Sequence, residues 1–215
     1  MTDTRSKSPP LLGYHGIDAD VVVQKQRRMG QITSVLAYVA AGFGAVWSFV
    51  IQTHDGRGLS PLGGGVGLIV AVLGVSFFVA YLVWVHRAWA LAQRERPATV
   101  WPWVIVVVHL VPLLHCVTPG VVLYRLHEEA LARPRDSRVS TGGIWLLVVW
   151  LFCWCVLWLL PIILAGNELL ANIGAGLLPS QTVVVIAGLW PLVWTLTTAL
   201  AGTLVGSISL QLGGK

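Results

Sequence analysis

WPWVIVVVHLVPLLHCVTPGVVLY, residues 101–124, carries no Asp, Glu, Lys or Arg and is interrupted by Pro112 and by Pro119-Gly120. An unbroken helix of that length crosses a bilayer, because about twenty residues rising 1.5 Å each cover roughly 30 Å of hydrocarbon. Divided at Pro112, the run gives two pieces of about a dozen residues, each too short to span. The stretch is therefore either a kinked span or a hairpin that enters and leaves on one side, and the choice sets the topology of the whole chain.

The surrounding sequence belongs in lipid. Of 215 residues, 56% are hydrophobic and 11% charged, and the mean hydropathy of +0.77 lies outside the range of a soluble domain. A net charge of +5 would suit a nucleic-acid binder if the bases were clustered. They are scattered between apolar runs and mixed with acids, which fits membrane topology and implies no nucleic-acid partner. The polar first 28 residues and the long first apolar run do not resemble a secretion signal, so the mature chain is expected to begin at Met1. Cys116, Cys153 and Cys155 all fall within apolar runs, as packed thiols do, and form no disulfide framework.

Residues 1–28 read as a mobile tail that cannot bury a core, with a short interfacial helix from Asp18 to Arg28. A single transmembrane helical domain is expected over 29–208, with a short tail from 209 to 215. Its first span, 29–53, places Ala37, Ala41 and Ala45 at intervals of four, a small-residue face for close helix approach. The second, 64–89, continues as helix toward Pro97, with Trp84 and Trp89 at headgroup level. Another span, 143–165, repeats Trp150, Trp154 and Trp158 along one face, which serves either as a packing seam or as an aromatic wall lining a ligand cavity. The last, 181–208, contains Pro191, expected to kink it, and a face of Thr198, Gly202 and Gly206 suited to internal packing or homodimerisation.

Basic residues near the span ends discriminate between the two topologies. Five spans put Lys25, Arg27, Arg28, Arg87, Arg94 and Arg96 on one side against Arg57, Arg125, Arg133, Arg135, Arg138 and Lys215 on the other. Four spans plus a re-entrant hairpin leave only Arg57 outside. The second arrangement follows the positive-inside rule and is the reading adopted: an all-α integral membrane protein with both termini cytoplasmic. Five transmembrane helices remain the alternative. The broken backbone of such a hairpin must be buried among helices, since lipid offers it no hydrogen bonds.

From His86 to Glu129 the order of features includes Arg87, then Trp101 and Trp103, Val111-Pro112, His115, Pro119 and Arg125. This segment resembles a family of multi-pass bacterial membrane proteins, common in actinobacteria and defined only as a domain of unknown function, with a pattern like W-x-V-P-x-x-N-x-x-x-P. His115 stands where that family prefers Asn. The resemblance implies a bacterial inner-membrane location and carries no activity with it.

His86, His109, His115 and Cys116 are the candidate polar intramembrane site, because an ionisable group held in hydrocarbon costs free energy and calls for a role. A haem needs two facing histidines, and His86 with His109 or His115 is the available pairing. His109 and His115 lie six apart, about 240° around a straight helix, and no HxxxH, CxxC or acidic ligand accompanies them, so no metal or cofactor is expected. The favoured role is a polar anchor for carbonyls freed by Pro112 or Pro119, with a proton or solute path as alternative. Gly63-Gly64-Gly65 lacks the Lys-Ser/Thr of a phosphate loop, and Glu128, Glu129 and Glu168 read as solvated helix ends. No catalytic constellation emerges and the chain is not read as an enzyme. The expectation is a non-catalytic accessory or scaffold module contacting membrane lipids and a membrane-protein partner or a second copy. A channel or transporter subunit is the alternative, and an intramembrane haem or metal protein the second alternative.

Overall fold

The computed structural model describes residues 19–53, 61–93, 100–111, 114, 117–131 and 141–212. Pro112, His115 and Cys116, most of the tail expected to be mobile, and the expected extension of the second helix beyond residue 93 lie outside the described residues. Within the described residues the chain forms helices joined by short turns, without a strand: α1 (Ala19–Thr53), α2 (Pro61–Ala92), α3 (Pro102–Leu110), α4 (Thr118–Leu131), α5 (Thr141–Asn172) and α6 (Ser180–Leu212). Four helices are long and apolar enough to cross a membrane, over Val21–Val50, Gly65–Ala92, Gly143–Asn172 and Gln181–Leu212. The protein is an all-α membrane protein.

Several boundaries differ from the sequence expectation. The interfacial segment before residue 29 is continuous with α1, since nothing between Arg28 and Met29 interrupts the helix. Similarly, α6 runs on to Leu212, where Ser209 and Leu212 are buried, so the last helix does not end at 208. α5 continues through Pro161 to Asn172, beyond the expected end at 165. It ends in a Schellman turn: Ala175 N–H donates to Leu170 O at 2.8 Å and Gly174 N–H to Ala171 O at 3.0 Å. Gly174 adopts φ 77°, open only to a residue without Cβ strain. Asn167 Oδ1 then accepts from Leu177 and Leu178 N–H at 3.1 and 2.8 Å, holding the tight return into α6.

The tightest seam joins α1 to α6, which run antiparallel. A Cβ at Gly202 would lie 2.8 Å from Ala37 Cβ and one at Gly206 3.0 Å from Ser34 Oγ, so these backbones approach as closely as glycine permits. Ser34 Oγ donates to Gly202 O at 2.7 Å across the seam. Ala37 and Ala41 are buried in it, but Ala45 is exposed. Each step of four overshoots a full turn by about 40°, so Ala45 drifts roughly 80° from Ala37 and Gly44 takes its place. At Gly44 the ring of Trp194 enters: a Cβ there would meet Trp194 Cζ3 at 2.6 Å, and one at Gly74 would meet Trp194 Cζ2 at 3.3 Å. The indole thus fills a slot made by two glycines from two helices.

Contacts along the seams orient every helix. Trp84 Nε1 donates to Ser209 Oγ at 2.7 Å, and the Gln26 amide oxygen accepts from Trp84 Nε1 at 3.2 Å and from Ala88 N–H at 3.3 Å. The start of α1, the end of α2 and the end of α6 therefore share one end of the bundle, here the terminal end. α5 packs on α6 and returns into it by a short turn, so α5 also starts there. Trp84 is fully buried in this network, because the helix ends converge around it.

Candidate functional site

α3 and α4 form the re-entrant hairpin. At nine residues α3 is about 14 Å long and cannot span. It starts at the terminal end, where Trp89 Nε1 donates to Val100 O at 3.2 Å, and reaches inward to His109 beside Tyr81 of α2. α4 opens at the level of Leu151, which a Cβ at Gly120 would meet at 2.7 Å. It returns to the terminal end, where His127 lies against Gly143 near the start of α5. Entry and exit are on the same side. Pro119 sits, fully buried, in the first turn of α4, where a missing N–H costs nothing. α6 runs through Pro191, whose carbonyl accepts from Thr195 Oγ1 at 2.8 Å.

His109 is 1% exposed, at the inner end of α3. Its Nδ1 lies 2.6 Å from the Ile105 carbonyl, which can only accept, so Nδ1 carries the proton. Nε2 is then an acceptor and takes the Tyr81 hydroxyl at 3.4 Å. His109 consequently anchors to a carbonyl of its own helix and to α2. Tyr81 continues an aromatic face of α2, with Phe77 and Trp84 at ring-centroid distances of 6.2 and 6.1 Å. The spacing Phe77, Tyr81, Trp84 is legible in the sequence as one helix face, but nothing in it marks Tyr81 as the partner of a histidine on another helix.

His86, five residues beyond Tyr81, lies about 140° around α2 from the face that receives His109 and is exposed. The structure therefore does not bring His86 and His109 together as a haem pair. Among the described residues no three of His, Cys, Asp and Glu gather as metal ligands.

The exit of the hairpin holds a group that the sequence presented as part of a solvated charged segment. His127 is buried and its Nε2 has no hydrogen-bond partner among the described residues. A Cβ at Gly143 would lie 2.5 Å from its Cε1. Burial lowers the imidazole pKa, opposed by the carboxylate of Glu128. Arg125 and Glu128 pair across one exposed turn at 3.5 Å, a contact worth little.

The tryptophan face of α5 is a continuous ring ladder: Trp150 stacks on Trp154 at 5.4 Å, and Trp154 meets Trp158 edge-on at 6.1 Å. Trp150 belongs to the core with Leu123 and Leu126 of α4 and Ile208 of α6.

No family model matches the chain, and neither a curated protein nor a solved structure is similar to it.

Proposed function

We propose that this protein is a non-catalytic accessory or scaffold module of a bacterial inner membrane, with both termini in the cytoplasm and a basic cytoplasmic face that meets a partner protein or anionic lipid. One observation carries the reading. The returning hairpin gathers the exposed bases Lys25, Arg27, Arg28, Arg87 and Arg125 at the terminal end of the bundle. Bases flanking spans concentrate on the cytoplasmic side, and each near an anionic surface contributes about 1 kcal/mol of attraction. The resemblance of residues 86–129 to a bacterial multi-pass family supports the same location.

Purification in mild detergent, followed by identification of co-purifying chains, tests this beside a solute-flux assay on the protein alone in liposomes. A stoichiometric partner without flux is expected. The second reading, a small channel or transporter subunit, draws on the buried His109–Tyr81 pair of an inserted broken helix, the way transporters build solute sites. Flux that disappears on His109→Ala would replace the scaffold reading with it, and a Soret band would point to haem.

A further inference from the structure

Two features meet at the start of α5. The first is backbone: the opening N–H groups of a helix have no partner within it and carry the positive end of its dipole. Thr141-Gly142-Gly143 opens a helix of 32 residues whose first turn holds no acidic side chain to answer that charge. The two glycines also put no Cβ in the way of a group approaching the backbone.

The second feature is His127. It is 3% exposed, and its Nε2 is buried without a hydrogen-bond partner among the described residues. A Cβ at Gly143 would lie 2.5 Å from Cε1, 2.9 Å from Nε2 and 3.5 Å from Nδ1 of the ring. Because Cα–Cβ bonds tilt toward the start of a helix, this edge of the imidazole lies over the opening turn of α5. We propose that His127 and the opening N–H groups of α5 together bind a phosphate oxyanion, supplied by the headgroup of a membrane phospholipid or by free phosphate.

The chemistry of both donors selects such a ligand. Burial lowers the imidazole pKa, so at neutral pH the ring is uncharged and carries one N–H. With that proton on Nε2, the ring donates to an oxyanion that also accepts from the backbone. Phosphate has oxygens enough to answer ring and helix at once, whereas a cation is repelled by the positive end of the helix. No carboxylate of α4 competes for the place. Arg125 and Glu129 each lie two residues from His127, about 200° around the helix, and Glu128 pairs with Arg125 at 3.5 Å. The exposed Arg27, Arg28 and Arg87 share this end of the bundle. The inference names a binding site for the anionic lipid proposed above and rests on that reading only for the side of the membrane.

Titration of the full chain in a phosphate-free maltoside detergent tests the site, with the NMR resonances of the imidazole nitrogens as readout. Inorganic phosphate and a short-chain phosphatidic acid are the separate probes. Saturable binding is expected, with His127 Nε2 moving to the position of a protonated, hydrogen-bonded nitrogen. Response to phosphatidic acid alone would assign the site to a lipid headgroup, and an equal response to inorganic phosphate would assign it to the free ion. His127→Leu should weaken binding about tenfold, the loss of one hydrogen bond to a charged group. His127→Gln keeps a donor and should recover part of that loss. Thr141→Pro leaves a helix start but removes an opening N–H, and should also weaken binding. No saturable change at His127 in the wild type with either probe, or the same affinity in His127→Leu as in the wild type, would overturn the proposal. Detergent has no sides, so these outcomes are independent of the orientation of the termini and of any co-purifying chain.

Discussion

Gly202 shows how little room a single position leaves. With Ala37 Cβ 2.8 Å and the Ser34 carbonyl 3.3 Å from where a side chain would begin, neither neighbour can move without parting α1 from α6. Gly202→Leu is expected to lower stability by about 1–3 kcal/mol or more through overpacking. Gly188→Leu on the same helix, with nothing within 4 Å, should be tolerated; thermal unfolding in detergent compares them. His127 sets a pH dependence. Its pKa is lowered in the folded chain, so the unfolded state binds the extra proton first and stability rises with pH. The contribution is complete above the ordinary histidine value of about 6.5 and is lost as pH falls below it toward the lowered value. His127→Gln should remove this part of the slope in unfolding measured between pH 5 and 8.

At the scale of elements, the hairpin is held to α5 by two reciprocal glycine contacts, Gly120 under Leu151 and Gly143 under His127. The first involves the flexible tip of a leucine and the second a rigid ring. Gly143→Ala should therefore loosen α4 from α5, seen as faster amide exchange in residues 118–131, and His127→Ala should restore protection in the double variant. The coupling expected between sites in such direct contact is about 0.5–3 kcal/mol. The hairpin also fixes which side its exit faces. A reporter fused near Arg133 should give the same cytoplasmic signal as one at the C-terminus, and a periplasmic signal there would mean five spans.

For the whole molecule, orientation is expected to follow from the charge imbalance and not from any one contact. Replacing Lys25, Arg27 and Arg28 by Gln while adding arginines beside Arg57 should produce a population with inverted termini, measured by protease access to a C-terminal tag. The described helices assemble as an arc in the order α2, α1, α6, α5, with the hairpin in its hollow at the terminal end. Among the described residues the main apolar core, including Trp84, Leu123, Leu126, Trp150 and Ile208, gathers around the hairpin.

Much of this was present in the chain itself. Hydropathy and length specify four spans, because only a helix satisfies its backbone in lipid over that distance. The count of bases flanking 101–124 indicates a hairpin, because charge near a span end reports its side. Small residues at Ala37, Gly202 and Gly206 mark faces on which backbones approach, although an interval of four misplaced Ala45 where the 3.6-residue turn selects Gly44. What the chain by itself did not contain is partnership across sequence distance. That His109 meets Tyr81, that Trp84 is enclosed by Ser209 and that His127 rests on Gly143 depend on how the described helices cross. One-dimensional periodicity records which face a residue occupies, and only the tertiary arrangement decides which other face it meets.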